Sequence, residues 1–421
     1  MREIEAAFSS RYGTGPAGVV WAPGRVNIIG EHTDYSDLPV LPMAIDRGLK
    51  VAYAPAADRV AASSSAFPET ADWSLDQIQT LDVSTLSGWP RYLLGVLRVL
   101  GTLDSGGLLH VAADLPSVGG LSSSSALTLG LLKAVDLASE SAPRPSVELV
   151  ELAIEAERVV GVESGGMDQN AIALAEAGKA LRIDFAPTRT RLVPLPQTWS
   201  WIAASSGVEA PKGGRVRDHY NARVLGTRLA AALLGKRLGR DPRQRLAAFH
   251  DPDGRAACAE LPAEASARRV ARETDVPSGF LLASSAGGLV DPGPVSVRAV
   301  ALHVLDEASR VDAAERALAA GALDPVGALD PVGALDPVGA LLDASHASLQ
   351  DFGASTPELD SLCTAMSSAG AVGARLTGAG FGGFAIAVAP RERADAVVAA
   401  AERACGGPAF VVEPSSGLRK L

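Results

Sequence analysis

The spacing of apolar residues predicts a chain of mixed helices and strands. Helical spacing occurs over residues 4–12, 89–100, 126–138 and 147–160, and strand-like patterns occur over residues 18–22, 49–60, 108–113, 180–185 and 199–204. A polar, Gly-rich loop is predicted for residues 205–220, and helices predominate from there to about Ala320. The order of these predicted helices and strands indicates an α/β (α+β) protein. Its 421 residues favour two or three domains, and we place a boundary between residues 188 and 189, giving parts 1–188 and 189–421.

A tandem repeat interrupts the helical region. The hexapeptide GALDPV occurs three times between Gly321 and Val338. Three copies are too short for a solenoid, and a proline at every sixth position is incompatible with a continuous helix. The pattern predicts a replicated surface linker without a catalytic role.

Composition narrows the class of protein. The chain is 47% hydrophobic and 20% charged, which is enough to build a sizeable core. Its net charge of −10, without clustered basic residues, argues against a nucleic-acid partner. The charged N-terminus and the absence of an 18-residue apolar run predict a cytoplasmic protein that does not enter a membrane. The spacing of Cys258, Cys363 and Cys405 indicates neither a disulfide framework nor a zinc site.

Residues 114–130, DLPSVGGLSSSSALTLG, form a Gly-rich and Ser-rich turn that leads into a helix. Unpaired backbone N–H groups and the positive end of the helix dipole suit a phosphate group at such a place. A serine hydroxyl there could also ligate Mg²⁺, which prefers oxygen ligands. The alternative is a Ser-rich N-cap on an ordinary buried helix, and this segment alone leaves both interpretations open.

Residues 25–35, RVNIIGEHTDY, mix strongly polar side chains with apolar ones after a strand that we expect Pro23-Gly24 to end. A surface loop could have this composition. However, burial of the apolar residues would carry their polar neighbours inside, where polar groups need partners, and a sugar could supply them. A metal site formed by Glu31, His32 and Asp34 is disfavoured, because no histidine pair has i, i+4 spacing.

Two further segments carry candidate chemistry. Asp168 follows two glycines and leads into the apolar run 171–175, so it is either a helix N-cap or a general base held beside a cleft. Residues 372–388 place a Gly-rich turn between two strand-like runs. Their formal G-x-G-x-x-G leads into a strand instead of a helix, so we reject dinucleotide binding. Glycines there allow close backbone approach, and the phosphate loop is the expected neighbour.

These three segments, in this order, resemble the three sequence motifs of the GHMP small-molecule kinases. Ala22–Tyr35 closely resembles the signature of the galactokinase branch, and similar text covers nearly the whole chain. It includes Trp89–Gly95, GVESGGMDQ at 161–169, ASHASL at 344–349, PELD at 357–360 and GARLTGAGFGG at 373–383. The chain has no Walker A sequence, in keeping with this family.

The resemblance implies two α/β domains of the GHMP kinase type with the active site in the cleft between them. It also implies ATP-dependent phosphorylation of the anomeric C1 hydroxyl of a galacto-configured sugar, with Mg²⁺, in a monomer or homodimer. The matching catalytic residues are Asp168, as the base, and Arg25, which stabilises the phosphoryl group. The residues that match the sugar-binding positions are Glu31, His32, Asp34, Gly165 and Tyr220. Those that match the ATP-binding positions are Gly119, Gly120, Leu121, Ser122, Ser123 and Ser124. The residues that match the Mg²⁺ ligands are Ser123 and Glu157.

The sequence also departs from the family pattern. Val118 stands where the phosphate loop usually has glycine, Glu157 lies one residue closer to Asp168 than expected, and residues 36–39 and 163–164 differ on the sugar side. The changes on the sugar side favour a modified or larger galacto-configured sugar of the heptose or octose type as an alternative substrate. A catalytically silent sugar sensor is a second alternative. A kinase for mevalonate or homoserine is disfavoured by the Glu-His-x-Asp-Tyr text.

Overall fold

The computed structural model describes residues 1–116, 119–139, 143–162, 165–208, 215–283, 291–322 and 331–421. The helices of these residues are α1 Arg2–Tyr12, α2 Leu75–Thr80, α3 Pro90–Leu100, α4 Ser123–Ala138, α5 Ser146–Val159, α6 Met167–Leu174, α7 Arg215–Leu238, α8 Pro252–Cys258, α9 Ala267–Thr274, α10 Ser278–Leu281, α11 Arg298–Ala322, α12 Pro331–Phe352, α13 Pro357–Ser368 and α14 Ala394–Cys405. The strands are β1 Gly18–Ile29, β2 Leu41–Ala56, β3 Arg59–Ser64, β4 Ala71–Ser74, β5 Gly106–Ala113, β6 Lys179–Asp184, β7 Arg189–Pro194, β8 Trp199–Ser205, β9 Glu264–Ala265, β10 Val295–Ser296, β11 Gly373–Thr377, β12 Phe384–Pro390, β13 Ala409–Val412 and β14 Arg419–Lys420.

Two larger sheets form the framework. The first has strand order β14-β1-β2-β5-β3-β4, and all its neighbours are antiparallel except β3 and β5. The second has the antiparallel order β11-β12-β8-β13. Helices α3, α4 and α5 pack their apolar residues on the first sheet, whereas α7, α11, α13 and α14 share a core with the second. This mixed architecture confirms the predicted fold class. The proposed division between residues 188 and 189 lies in the turn of the β6–β7 hairpin.

Strand β1 is longer than the sequence predicts, because Pro23-Gly24 does not end it. The strand continues to Ile29, with a shift of register against β2 between Pro23 and Arg25. Opposite this shift, Gly48 has no side chain, and a Cβ there would lie 2.4 Å from the carbonyl oxygen of Ala22. The irregularity is therefore accommodated by a glycine across the ladder. The polar residues Arg25 and Asn27 of β1 are buried together with its apolar ones, as the burial argument predicts.

The interpretation of the repeat as a surface linker is wrong for its third copy. Helix α11 ends inside the first copy, residues 323–330 lie outside the described part, and α12 contains the whole third copy. Leu335 and Val338 are 1% and 0% exposed and belong to the core on the first sheet. Pro331 is the first residue of α12, where a missing N–H costs no helical hydrogen bond. Pro337 lies inside the helix, and burial of its two apolar neighbours compensates for that local cost.

The other predicted elements agree with the structure in most places. Helices α1, α3, α4 and α5 and strands β5, β6 and β8 coincide with the predicted ranges to within a few residues. Two further predictions differ from the structure. Residues 49–60 are not one strand but the end of β2 and the beginning of β3, and Tyr220 lies in α7 and not in a loop. Of the helices that the structure describes, none is both long and apolar enough to cross a membrane.

Candidate active site

The centre of the site is an ion pair between residues 143 positions apart. Arg25 Nε donates to Asp168 Oδ1 at 2.7 Å, and its Nη2 donates to Asp168 Oδ2 at 2.9 Å. Arg25 comes from β1 and is buried, whereas the Asp168 side chain is 25% exposed. The N-cap of α6 is Gly166, and Asp168 lies in the first turn of the helix. The N-cap alternative for Asp168 is therefore wrong, and its carboxylate is a partly accessible group held by a bidentate arginine.

The predicted phosphate loop meets this pair directly. Arg25 Nη1 donates to the carbonyl oxygen of Gly120 at 2.7 Å, and the Arg25 amide donates to Leu121 O at 3.2 Å. Ser122 occupies the N-cap position of α4 in a left-handed conformation with φ 56°, yet its side chain does not cap the helix. Its hydroxyl donates to Asp168 Oδ2 instead. The beginning of a 16-residue helix thus lies beside the Arg25–Asp168 pair.

The glycine-rich hairpin between β11 and β12 lies against the same loop, as the sequence predicts. A Cβ on Gly383 would lie 2.7 Å from Gly119 O, and one on Gly378 would lie 3.1 Å from Gly120 O. Both hairpin glycines have positive φ. Glycine suits these two positions because it tolerates positive φ and leaves room for the backbone of residues 119–120. The hairpin and the predicted phosphate loop therefore pack tightly against each other.

Glu31 follows β1 and is buried against the hairpin. Its Oε1 accepts a hydrogen bond from the Gly378 amide at 2.7 Å and lies 3.4 Å from Nη2 of Arg375. Arg375 is 0% exposed, and its Nη1 donates to the carbonyl oxygens of Asn27 and Ile28, each at 3.0 Å. Burial raises the pKa of Glu31, while Arg375 acts to lower it. A buried ion pair therefore links the first and third motifs.

His32 joins an aromatic cluster at the edge of the site. Its Nε2 lies 3.1 Å from the carbonyl oxygen of Ala379, which can only accept, so Nε2 carries the proton. Nδ1 therefore accepts from the Tyr35 hydroxyl at 2.9 Å. Burial lowers the pKa of His32 to about 3, so the ring is neutral near pH 7. The Tyr220 ring lies 5.7 Å from His32 and 5.8 Å from Tyr35, between centroids.

Asp34 packs against the first turn of α6, near Asp168. Its Oδ1 accepts from the Tyr35 amide at 2.9 Å, and Met167 supplies a second backbone hydrogen bond. Burial, together with the negative charge of Asp168, raises the pKa of Asp34 to about 7. A Cβ on Gly165 would lie 2.1 Å from Asp34 Oδ2. The predicted sugar residues Asp34 and Gly165 are thus in direct contact.

The two predicted magnesium ligands lie on helices that pack together. Ser123 begins α4, and the buried Glu157 lies in the last turns of α5. Burial raises the pKa of Tyr92, the charge of Glu157 adds to that increase, and a hydrogen bond with Ser124 opposes it. Tyr92 of α3 is therefore close to both helices. Among the residues that the structure describes, no group of three or more His, Cys, Asp and Glu side chains could hold a metal.

Sequence reasoning missed three buried polar residues behind the site. Arg375 is the only charged residue of β11, which is otherwise formed by small, apolar or hydroxyl-bearing residues, and this is a usable signal for a buried charge. His303 and Glu307 stand four residues apart in α11 on a face that is otherwise apolar. That spacing gives only a weak signal, because single polar residues on an apolar helical face are common.

The comparison with known families gives the class of protein. The galactokinase galactose-binding signature matches residues 6–55, the GHMP kinase N-terminal domain matches residues 91–176, and the GHMP kinase C-terminal domain matches residues 313–407. The first match contains Arg25 and residues 31–34, the second contains the predicted phosphate loop and Asp168, and the third contains Arg375. All three motifs that meet at the site therefore belong to GHMP kinase families.

Individual relatives give the branch of that class. A galactokinase of Chloroflexus aggregans is 36% identical over 94% of this chain and 90% of its own. One of Streptomyces coelicolor is 33% identical over 98% of this chain and 97% of its own. The crystal structure of Lactococcus lactis galactokinase complexed with galactose covers 100% of this chain and 99% of its own, with TM-score 0.76 and 28% identity. The chain belongs to the galactokinase family of the GHMP kinases. It is a sugar kinase, and kinase membership implies ATP as its second substrate.

Proposed function

We propose that this protein transfers the γ-phosphoryl group of ATP to the anomeric C1 hydroxyl of galactose or a galacto-configured sugar. The observation that carries the proposal is the bidentate Arg25–Asp168 pair at the beginning of α4. It places a carboxylate, a guanidinium and a helix N-terminus in one partly accessible place. The galactokinase relatives support galactose as the sugar.

In the proposed reaction, Asp168 accepts the proton of the C1 hydroxyl as the sugar oxygen bonds to the γ-phosphorus of ATP. The bond from that phosphorus to the β–γ bridging oxygen breaks, and ADP leaves. The positive charge of Arg25 offsets negative charge on the transferring group. Phosphoryl transfer needs mainly position and charge neutralisation, which this pair supplies.

The phosphate loop would bind ATP through its backbone. The Gly119-Gly120-Leu121 turn and the amides of Ser122, Ser123 and Ser124 lie at the positive end of α4, which favours phosphate oxygens. Because the hairpin glycines pack on the loop from behind, its conformation is preset for the nucleotide.

A magnesium ion fits the donors present. The Glu157 carboxylate and the Ser123 hydroxyl are oxygen donors, and Mg²⁺ commonly uses one or two such groups together with substrate phosphates and water. When bound, the ion would neutralise charge on the phosphates. We assign Ser123 and Glu157 to it.

The sugar would occupy the space lined by Glu31, Asp34 and Tyr220, beside Gly165. Carboxylates accept hydrogen bonds from ring hydroxyls, and a site of this kind rejects a sugar that leaves one of them unpaired. His32 already makes both of its ring hydrogen bonds to the protein. Its part is therefore to orient Tyr35 and to pack beside the sugar.

The test is turnover by the purified protein with ATP and Mg²⁺ on a set of free sugars. ADP should form with galactose and not with its C4 epimer glucose. The product should lose its reducing end, because phosphorylation at C1 blocks ring opening. ADP release with retention of the reducing end would refute C1 transfer, and binding of galactose without ADP release would favour a sugar sensor.

A galacto-configured sugar extended beyond C6 is the second candidate substrate. Residues 36–39, which depart from the family pattern, contain Leu38, which is buried and packs in the core of the second sheet. Competition between galactose and such a sugar, compared by kcat/KM, decides between them. A larger kcat/KM for the extended sugar would support the alternative.

A further inference from the structure

Helix α11 places two buried polar side chains directly behind the sugar-binding segment Gly30–Tyr35. His303 is 2% exposed and Glu307 is 0% exposed, and both make hydrogen bonds to the backbone of that segment. We propose that His303 and Glu307 are positioning residues, which fix the conformation of Gly30–Tyr35 and thereby determine the affinity for the sugar. The inference rests on the proposed function in so far as Glu31 and Asp34 bind the sugar.

Glu307 forms a hydrogen bond with Gly30, the first residue of the segment. Its Oε1 accepts from the Gly30 amide at 2.9 Å and from the Ser345 hydroxyl at 2.7 Å. Its Oε2 accepts from Arg310 Nε at 2.6 Å. Burial opposes ionisation, but charge interactions that include Arg310 hold the pKa of Glu307 below its ordinary range. The carboxylate is therefore ionised and forms a charge-assisted bond with a backbone amide.

His303 holds the next residue. Its Nε2 lies 3.1 Å from the carbonyl oxygen of Glu31 and must donate to it. Nδ1 therefore accepts from the Ser348 hydroxyl at 2.8 Å. Burial lowers the pKa of His303 to about 4, so this neutral form persists near pH 7. The Phe352 ring lies between the two histidines, with its centroid 4.7 Å from His303 and 4.6 Å from His32.

The segment needs such support because of its backbone. Gly30 has φ 106°, and His32, which is not glycine, has φ 63°. The left-handed region is uncommon for a residue with a side chain, and contacts with the surroundings help to hold the backbone there. The hydrogen bonds of α11 reach the two residues that precede His32, while the Gly378 amide holds the Glu31 carboxylate from the opposite side. Loss of the α11 contacts should let Glu31 and Asp34 move from their positions.

The experiment compares matched variants of the full-length protein. H303L removes the donor to Glu31 O, H303Q retains a donor, and E307A and E307Q form the corresponding pair at the second position. V304A, at a buried apolar position of the same helix, is the control for a general loss of packing. S348A is a milder substitution that removes only the partner of His303, for use if H303L does not fold.

We expect H303L and E307A to raise the KM for the sugar by about tenfold or more, because small displacements at a site are costly. The KM for ATP should stay within about twofold, and H303Q should recover most of the sugar affinity. E307Q keeps an acceptor for the Gly30 amide but loses the acceptor for Arg310 Nε, so it should recover only part of the affinity. V304A should lower the thermal midpoint without raising the KM for the sugar. An unchanged KM in H303L and E307A, or an equal increase in V304A, would overturn the inference.

Amide hydrogen exchange of residues 30–38 gives a readout that needs no substrate. Exchange should accelerate in H303L and E307A and not in V304A. If the wild-type protein phosphorylates no sugar, the proposed function fails, and the exchange result still decides whether α11 holds the segment. Equal exchange in all variants would refute the positioning role.

Discussion

Gly165 and Asp34 touch so closely that a methyl group on the glycine would lie 2.1 Å from the carboxylate oxygen Oδ2 of the aspartate. Atoms cannot approach to this distance, so G165A must displace Asp34. We expect G165A to raise the KM for the sugar by about tenfold or more, with little effect on the KM for ATP. Steady-state kinetics with each substrate varied in turn measure both constants.

A matched glycine provides the control for this change. An added Cβ on Gly279 would have no atom within 4 Å, and Gly279 does not have positive φ. G279A should therefore leave both KM values unchanged. Equal kinetics in G165A and the wild type would show that contact with Asp34 is irrelevant to sugar binding.

The role proposed for Asp168 is tested by D168N. The amide keeps the size of the side chain but cannot serve as a base, so turnover should fall by about 10²–10⁴ or more. Sugar binding, measured by calorimetry, should stay within about tenfold. D312N is the control, because Asp312 also accepts from an arginine, Arg182 at 2.6 Å, on a different part of the surface. Near-normal turnover in folded D168N would exclude Asp168 as the base.

The raised pKa of Asp34 predicts a pH dependence of sugar affinity. Burial and the charge of Asp168 raise this pKa to about 7 from an ordinary 3.8. The free protein therefore carries protonated Asp34 below about pH 7 and the carboxylate above it. Because the carboxylate is the stronger acceptor for sugar hydroxyls, the KM for the sugar should fall as the pH rises through 7.

Two variants assign this titration to Asp34. In D34N the step in sugar affinity should disappear. In D168N, where the neighbouring negative charge is absent, the step measured by sugar binding should move to lower pH. A sugar affinity that is constant between pH 6 and 8 in the wild type would contradict the prediction.

We expect the deletion of one hexapeptide copy and the deletion of two copies to have different effects on stability. Removal of residues 321–326 leaves two identical copies, so residues equivalent to Leu335 and Val338 still precede Gly339. The Gly-Ala pair that this deletion removes from the end of α11 is restored by the identical first residues of the next copy, and α12 keeps its full length from Pro331 to Phe352. Thermal unfolding should therefore show little loss of stability.

Removal of residues 327–338 should behave differently. It deletes residues 331–338 of α12, which include the buried Leu335 and Val338. The single remaining copy cannot serve both as the end of α11 and as the beginning of α12. Stability should fall clearly. L335A should lower the free energy of unfolding by about 2–5 kcal/mol, as is typical for loss of a buried leucine side chain. Equal stability in the one-copy and two-copy deletions would show that the packing of α12 does not depend on the repeat.

The sequence alone determined the elements that depend on local pattern and the chemistry of the three motifs. Apolar spacing predicted α3, α4 and α5, and the Gly-rich turn at 378–383 predicted a β-hairpin, because each depends on neighbours within a few residues. The resemblance to GHMP kinases came from contiguous text. Even so, a local rule about proline misplaced the third repeat, since it took no account of the burial available to Leu335 and Val338.

Only the tertiary structure decided which distant groups share one buried environment. Arg25 and Asp168 are 143 residues apart, and Gly30 and Glu307 are 277 apart, so no local spacing encodes their contact. The raised pKa of Asp34 likewise arises from burial and from Asp168, which the sequence places far away. Burial and charge act through space and depend on packed distance, and that distance is set when sheets and helices that are remote in the chain come together.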